Sequence, residues 1–285
     1  MGLQASERLR YSILDPTGNI TALVESVVEV GQQPSVAASL MERHPEVEQV
    51  GFVTFPEPNE KRGVQARLRM AGGEFCGNAT MSAAALWAVR QGVAEFPFDV
   101  TLGVSGASRP VRVSLIRGKD GFFDAAVCMP KAAGVDMVQL CLDGSCHAVP
   151  VVRMEGISHA VVDESSPLFF LRDDHAAAER AIRTWCLELG ADGLGLMFLC
   201  KGADERDLVP LVFVPGGDTV FWESSCASGS AAVGMLLAKR RGAPISLGLR
   251  EPGGTLHVTS DPSGETWLHG SVCMVGEFSL PVTGV

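Results

Sequence analysis

The chain has 285 residues, of which 46% are hydrophobic and 20% charged, a composition typical of a globular protein with a large buried core. Its formal net charge of −10 argues against binding to nucleic acid or to an anionic membrane surface. The first residues lack the apolar segment of a signal peptide, and no apolar run is long enough to span a bilayer. We therefore expect a cytoplasmic protein of enzyme size that acts on a small molecule, without nucleic-acid or membrane partners.

The first half of the chain has the periodicity of alternating strands and helices. A turn at 15–19 precedes a strand at 21–25, and a helix follows at 34–44 with a proline in its first turn. Further strands are predicted at 50–55, 64–70, 99–104, 109–117 and 122–127, with a helix at 80–91.

The second half has the same order of elements. A strand at 158–162 precedes a helix that Asp173 or Asp174 opens and Gly190 closes. Strands at 195–200 and 208–214 lead to a second helix that follows a cysteine. Matching strand to strand aligns Asn19 with His159 and Cys76 with Cys226. This order predicts two related α/β lobes, at 1–132 and 133–285, whose last strand is free to cross back to the first lobe.

The eight cysteines show no disulfide framework, and in the cytoplasm we expect their thiols to stay reduced. Cys141, Cys146 and His147 form a small cluster of the kind that holds zinc. Because no second ligand pair accompanies the cluster, we expect no metal site there.

Two cysteines stand where a small-residue turn enters a predicted helix, Cys76 in GGEFCGNATMS and Cys226 in WESSCASGS. The first turn of a helix carries unpaired N–H groups and the positive end of the helix dipole, so we expect both thiol pKa values to be lowered. The same N–H groups bind carboxylates. Either cysteine alone is equally compatible with simple packing of a helix on a sheet. Two matched thiols instead suggest proton exchange on two faces of one α-carbon next to a bound carboxylate.

These stretches resemble the cofactor-independent racemase superfamily of diaminopimelate epimerase and proline racemase. Within it, the resemblance is closest to the histidine racemases of staphylopine-type opine metallophore pathways. It is carried by DPTGNITALV, EQVGFV, EFCGNATMS, FWESSCASGS and EPGGTLHVTS, which extend from residue 15 to residue 260. The resemblance implies two pseudo-symmetric lobes, each with a mixed sheet or barrel wrapped around a central helix and with the active site in the cleft between lobes. It also implies a possible homodimer and a reaction that needs neither cofactor nor metal.

The resemblance assigns roles to individual residues. Cys76 and Cys226 match the two acid/base residues. A second set matches segments that hold the substrate carboxylate or lie beside it: Asn19, Gly77, Asn78, Ala227, Ser228 and Gly229. His159, Glu223 and Glu48 match positions that support acid/base chemistry or bind substrate, although His159 is equally compatible with a structural role and Glu48 with a solvated surface carboxylate.

Departures from the family patterns bear on the substrate. The two cysteine segments read CGNATM and SCASGS and lack the arginine of diaminopimelate epimerases, which argues against a substrate with a second carboxylate. Gly73 stands where histidine racemases are expected to carry asparagine, Ala227 where glycine is expected and Ser230 where threonine is expected. Because Gly73 has no side chain, we expect it to enlarge or alter the substrate pocket.

Three alternatives follow from the same residues. The first is a racemase or epimerase of another amino acid, such as diaminopimelate, proline, hydroxyproline or a basic residue. The second is an acyl transferase or hydrolase in which one cysteine is the nucleophile and His159 the base. The third is a carboxylate-binding protein without catalytic activity.

Overall fold

The computed structural model describes residues 8–56, 63–119, 121–202 and 205–281. The chain divides into two compact units: unit 1 is Met1–Val127 with His269–Val285, and unit 2 is Cys128–Leu268. The sequence predicts a boundary at 132–133, whereas the structure has boundaries at 127–128 and 268–269. From His269 onward, the last strand belongs to unit 1.

The described residues of the two units include sixteen strands and four α-helices. They are β1 (Arg8–Pro16), β2 (Thr21–Val24), α1 (Gln33–Arg43), β3 (Gln49–Thr54), β4 (Ala66–Met70), α2 (Gly77–Arg90), β5 (Phe98–Val104), β6 (Val111–Arg117), β7 (Phe122–Cys128), β8 (Gly134–Leu142), β9 (Ser145–Met154), β10 (Ile157–Asp163), α3 (His175–Glu188), β11 (Leu194–Leu199), β12 (Glu205–Val214), β13 (Thr219–Trp222), α4 (Ala227–Arg241), β14 (Ile245–Glu251), β15 (Gly254–Ser260) and β16 (Thr266–Pro281).

Unit 1 is a closed sheet of eight strands. Neighbouring strands run in the order β1 to β7, then β16, and β16 pairs with β1 in antiparallel fashion to close the ring. The pairs β2–β3 and β4–β5 are parallel, and each is bridged by a helix, α1 and α2 respectively. A parallel pair needs such a crossover because consecutive parallel strands start at the same edge of the sheet.

Unit 2 repeats the two helix-bridged parallel pairs of unit 1. The pairs β10–β11 and β12–β14 are parallel and are bridged by α3 and α4. The pairs β11–β12, β9–β10 and β8–β9 are antiparallel, as the pair β3–β4 is in unit 1. Apart from the short additional strand β13 in unit 2, the two halves of the chain share the order strand, helix, strand, strand, helix, strand, which confirms the prediction of two related α/β lobes.

One helix in each unit is enclosed by the sheet. Every residue of α2 from Gly77 to Ala88 is buried, and the helix contacts β1 through β6. In unit 2, α4 contacts β9, β10, β11, β14 and β15. Both helices are rich in alanine, glycine and serine, and a helix that is buried on all sides must be apolar or small all round. The prediction of a central helix in each lobe is confirmed.

Helix boundaries follow local capping. The helix predicted at 80–91 begins three residues earlier, at Gly77, because Cys76 itself is the N-cap. Asp174 caps α3 by accepting a 3.0 Å hydrogen bond from the backbone N–H of Ala177, as predicted. Gly242 ends α4 in the left-handed conformation, at φ 66°.

The hairpin β8–β9 was not predicted, and it corrects the expectation for two cysteines. Asp143 and Gly144 form its two-residue turn, with φ values of 48° and 82°. Both residues have positive φ, which is the type I′ geometry that Asp-Gly favours. A disulfide joins Cys141 to Cys146 across the hairpin, so the expectation that these thiols are reduced was wrong. These two sulfurs are therefore not thiolate ligands for zinc.

No helix among the described residues is both long and apolar enough to cross a bilayer.

Candidate active site

Cys76 is the N-cap of the central helix of unit 1. Its backbone is extended, at φ −130° and ψ 113°, and its Sγ accepts a 3.4 Å hydrogen bond from the N–H of Ala79. The first intrahelical bond is donated by the N–H of Thr80 to the carbonyl of Cys76, at 3.0 Å. The N–H groups of Gly77 and Asn78 precede that bond, so they lie at the positive end of the helix beside the sulfur.

Cys226 has the same position and geometry in unit 2. It caps α4 at φ −123° and ψ 98°, and its Sγ accepts a 3.4 Å hydrogen bond from the N–H of Gly229. Ser230 donates the first intrahelical bond to the Cys226 carbonyl, at 2.9 Å. Ala227 and Ser228 occupy the positions that Gly77 and Asn78 occupy in unit 1. The hydroxyl of Ser228 also lies 3.7 Å from the sulfur of Cys226.

Gly229 is required by close packing at this helix start. A Cβ on Gly229 would lie 2.1 Å from Sδ of Met197 and 3.1 Å from Sγ of Cys226. Any side chain there would displace Met197, the thiol or both. The glycine therefore lets β11 pack directly against the first turn of α4.

The electrostatic surroundings of Cys226 oppose its ionisation. Burial is the largest cause, and the carboxylates of Glu223 and Glu251 add to it, so the pKa of the Cys226 thiol lies well above its usual range. Glu223 also hydrogen-bonds the thiol, whereas the N–H of Gly229 acts in the opposite direction. The prediction that the helix start lowers this pKa was wrong for Cys226, because burial and two nearby carboxylates outweigh the helix N–H groups.

Glu251 is a residue that the sequence analysis did not single out. It is buried at the end of β14, where Oε2 accepts a 2.6 Å hydrogen bond from the N–H of Cys226 and Oε1 accepts one from the hydroxyl of Ser230. Burial, together with the nearby charge of Glu223, raises the pKa of Glu251 to about 8 despite these hydrogen bonds. Its only sequence signal is its place in EPGGTLHVTS, which lies 25 residues after Cys226.

In unit 1, the structure brings two of the predicted residues together. Asn19 follows the turn after β1, in which Thr17 and Gly18 have φ values of 59° and 89°. Its amide is 1% exposed and donates a 2.8 Å hydrogen bond from Nδ2 to Oε2 of Glu48. Glu48 is half-buried. The alternative of a solvated surface carboxylate therefore does not describe Glu48.

His159 lies on β10, directly opposite Gly195 of β11. It is fully buried, and within the described parts of the chain neither ring nitrogen has a hydrogen-bond partner. Burial lowers the pKa of His159 to about 3. A Cβ on Gly195 would lie 2.3 Å from Nδ1 of His159 and 2.7 Å from Cε of Met197, so the imidazole is packed tightly beside the methionine that also contacts Gly229.

This environment bears on the alternative in which His159 activates a nucleophilic cysteine. A base with a pKa of about 3 takes up a thiol proton poorly at neutral pH. The imidazole is neutral in the folded protein and packs as an apolar group.

The backbone conformation at position 73 explains why a glycine is found there. Its φ is +82°, and a Cβ there would lie 3.3 Å from Nη1 of Arg69. Glycine and asparagine are the residues that most readily adopt this left-handed conformation. The expected asparagine and the observed glycine therefore satisfy the same backbone requirement.

The fold is shared with a solved enzyme of known class. The structure superposes on a hydroxyproline epimerase from Agrobacterium vitis with a TM-score of 0.67 at 14% sequence identity, covering 99% of this chain and 94% of that chain. At this identity the likeness shows the fold class: two units, each with a central helix, and in this chain a cysteine at the start of both helices.

The sequence comparison narrows this class to one family. Residues 8–277 match the family described as histidine racemase CntK N-terminal domain, and the chain belongs to this family. It is 27% identical over 276 residues to a histidine racemase of Fusobacterium nucleatum, covering 94% of this chain and 95% of the relative. It is also 28% identical over 254 residues to a histidine racemase of Staphylococcus aureus, covering 88% of each chain. The chain is accordingly an isomerase.

Proposed function

We propose that this protein interconverts L- and D-histidine, with Cys76 and Cys226 as the two acid/base residues. The observation that carries the proposal is the identical capping of α2 and α4 by a cysteine in the two related units. Family membership supports histidine as the substrate, because the curated relatives are histidine racemases. The glycine at position 73 does not oppose this substrate, since its backbone conformation suits the expected asparagine as well.

The reaction consists of two proton transfers. The thiolate of one cysteine removes the α-proton of histidine and becomes a thiol, and the bonding electrons pass into the carboxylate as an enediolate. The thiol of the other cysteine then donates its proton to the opposite face of the α-carbon and becomes a thiolate. The enzyme is left with the roles of its two sulfurs exchanged, and the reverse reaction restores them.

The structure supports different resting states for the two sulfurs. The raised pKa of Cys226 makes it the proton donor when the enzyme first binds substrate. Cys76 is then the base. The N–H groups at the starts of α2 and α4 supply donors for the carboxylate and for the negative charge that develops on it. Asn19 with Glu48, and Glu223 beside Cys226, supply polar groups for the ammonium group or for the thiols.

Chiral analysis of the purified protein with L-histidine in deuterated water tests the proposal. We expect D-histidine that carries deuterium at the α-carbon, with no requirement for added pyridoxal phosphate or metal. Cys76→Ala and Cys226→Ala should each abolish racemisation, and Cys200→Ala is the matched control at a free cysteine outside the two helix starts. Retention of chirality and of the α-proton under all these conditions would contradict the proposal.

A panel of other L-amino acids separates histidine from other substrates. Proline, hydroxyproline, diaminopimelate and lysine should react at least tenfold more slowly than histidine if the substrate assignment is right. Faster turnover of one of them would keep the racemase chemistry and replace the substrate. We further propose that D-histidine made in the cytoplasm supplies an opine metallophore, which predicts loss of that metallophore when the gene is deleted.

A further inference from the structure

The strand that follows the central helix ends on residues of different chemistry in the two units. After each central helix comes a strand of seven residues, β5 and β14. Aligning these strands pairs Val104, the last residue of β5, with Glu251, the last residue of β14. In the turns that follow, the side-chain hydroxyl of Ser105 donates a hydrogen bond to the carbonyl of Glu74, and the backbone N–H of Gly253 donates one to the carbonyl of Ser224. Both acceptors stand two residues before the cysteine.

The paired positions have opposite chemistry. Val104 is 6% exposed and is part of the apolar core of unit 1. Glu251 is 4% exposed and contributes a carboxyl group to the first turn of α4. That group binds the N–H of Cys226 at 2.6 Å and the hydroxyl of Ser230, so it holds the N-cap and the fourth helical residue together. A glutamate from a distant strand thus does what the third helical residue does in a capping box.

The ionisable groups that face Glu251 are Glu223, in the segment after β13, and Cys226 itself. All three are buried. Negative charge on any one of them disfavours negative charge on the other two, so their titrations are coupled. Glu251 gains its charge at about pH 8, before the thiol of Cys226 does.

We propose that Glu251 is a positioning residue that makes the two cysteines chemically unequal: it anchors the first turn of α4 around Cys226 through two hydrogen bonds and, as a carboxyl group buried beside the thiol, disfavours the thiolate of Cys226. As an account of catalysis, this inference rests on the proposed function. As an account of thiol ionisation, the inference holds whether or not the protein racemises histidine. Glu251 itself touches no reacting atom and acts through Cys226.

The rate of alkylation by iodoacetamide between pH 6 and pH 10 tests the proposal on the full-length protein. Trypsin releases each cysteine in a peptide with no other cysteine, residues 70–90 for Cys76 and 207–239 for Cys226, so mass spectrometry follows both sulfurs in one sample. The variant is Glu251→Gln, which resembles the neutral carboxylic acid in shape. Glu188→Gln, at an exposed glutamate of α3, is the matched control.

Below about pH 7.5, where Glu251 is neutral, Cys226 should react at the same rate in the wild type and in Glu251→Gln. Above pH 8 the curves should separate, with Cys226 about tenfold faster in the variant at pH 9.5, which corresponds to about one pKa unit of coupling. The Cys76 peptide should have the same curve in both proteins. A purely structural role for Glu251 would instead change the rate at every pH.

Coincident Cys226 curves in a folded Glu251→Gln protein would overturn the proposal. If Glu251→Gln does not fold, the pH dependence of Cys226 alkylation in the wild type still tests the proposal. The slope of log rate against pH at Cys226 must fall below one near pH 8 as Glu251 ionises, and a constant slope of one through that range overturns the proposal. In racemisation assays, the alkaline limb of kcat/KM should move about one unit lower in Glu251→Gln. Absence of racemisation in the wild type with the alkylation difference intact would reject only the proposed function.

Discussion

The side-chain amide of Asn19 donates a 2.8 Å hydrogen bond to the carboxylate of Glu48, although the two residues are 29 positions apart and lie on different loops. Asn19 follows the turn after β1, and Glu48 directly precedes β3, which pairs with β2 in parallel. Parallel pairing brings the entry points of β2 and β3 to one edge of the sheet. The pair thus depends on the sheet, and α1 is the crossover that makes the pairing possible.

Asn19→Ala tests the contribution of this pair. Removing the amide leaves a half-buried carboxylate without one of its donors, and a hydrogen bond to a charged group contributes about 1.5–3 kcal/mol. We expect kcat/KM for histidine to fall about 10- to 100-fold, as measured by circular dichroism of the racemisation reaction. Ser35→Ala, on the exposed side of α1, is the control. Wild-type kinetics in Asn19→Ala would show that the pair has no part in catalysis.

Substitutions at Gly73 separate backbone conformation from substrate recognition. Because φ is +82°, alanine should lower the free energy of unfolding by about 1–2 kcal/mol, and asparagine should lower it by less. Urea unfolding of the two variants gives this comparison. Gly73→Asn should also keep its activity on histidine. If Gly73→Asn lost activity while Gly73→Ala kept it, the position would instead select the substrate side chain.

From the burial of His159 we predict how the stability of the protein depends on pH. In the unfolded chain a histidine takes up a proton near pH 6.5, whereas folded His159 does so only near pH 3. The unfolded state therefore binds more protons between these values, and stability falls as the pH is lowered through that range. From pH 7 to pH 5, this one residue should remove about 2 kcal/mol of unfolding free energy.

His159→Leu should abolish that part of the pH dependence. Urea unfolding at pH 7 and pH 5 measures it as the difference between wild type and variant. His257→Gln, at an exposed histidine of β15, should leave the dependence unchanged. An equal loss of stability on acidification in wild type and His159→Leu would show that the imidazole is not buried in its neutral form.

From the disulfide of the β8–β9 hairpin we predict how many cysteine thiols of the protein are free. Titration of the protein denatured without reductant should detect six thiols rather than the eight that the sequence contains. The double variant Cys141→Ser/Cys146→Ser should be less stable by about 2 kcal/mol, because the bond closes a short loop in the unfolded chain. Adding reductant to the wild type should reproduce that loss, whereas eight titratable thiols would contradict the disulfide.

Many features near the cysteines could be predicted from the sequence because they are local. A small-residue turn, a cysteine and a run of helix-forming residues define a helix start within one or two turns of chain. Local residue type likewise marks the start of α3 at Asp174 and the end of α4 at Gly242. The repeated order of elements in the two halves of the chain predicted two related units, and the family resemblance implied the central helix in each.

Other features required the strand pairings. Several strands were not predicted, namely β1, β8, β9, β13, β14 and β15, and β16 was predicted only as a last strand without bounds. The Asp-Gly turn is nevertheless a local signal for the β8–β9 hairpin. The lowered thiol pKa expected from the helix dipole was wrong for Cys226, because burial and neighbouring carboxylates are properties of the packed structure. The neutral state of His159 likewise follows from its enclosure beside Gly195 and Met197.

The sequence by itself determined where the two helix-capping cysteines stand, since a helix start is specified by the residues within a few positions of it. Only the tertiary structure decided their chemical surroundings. Glu251 reaches Cys226 from a strand that begins after α4 has ended, and Glu48 reaches Asn19 across a crossover. The physical reason is that the pKa of a buried group depends on burial and on charges within a few ångströms, and those neighbours are set by strand pairing over long sequence separations.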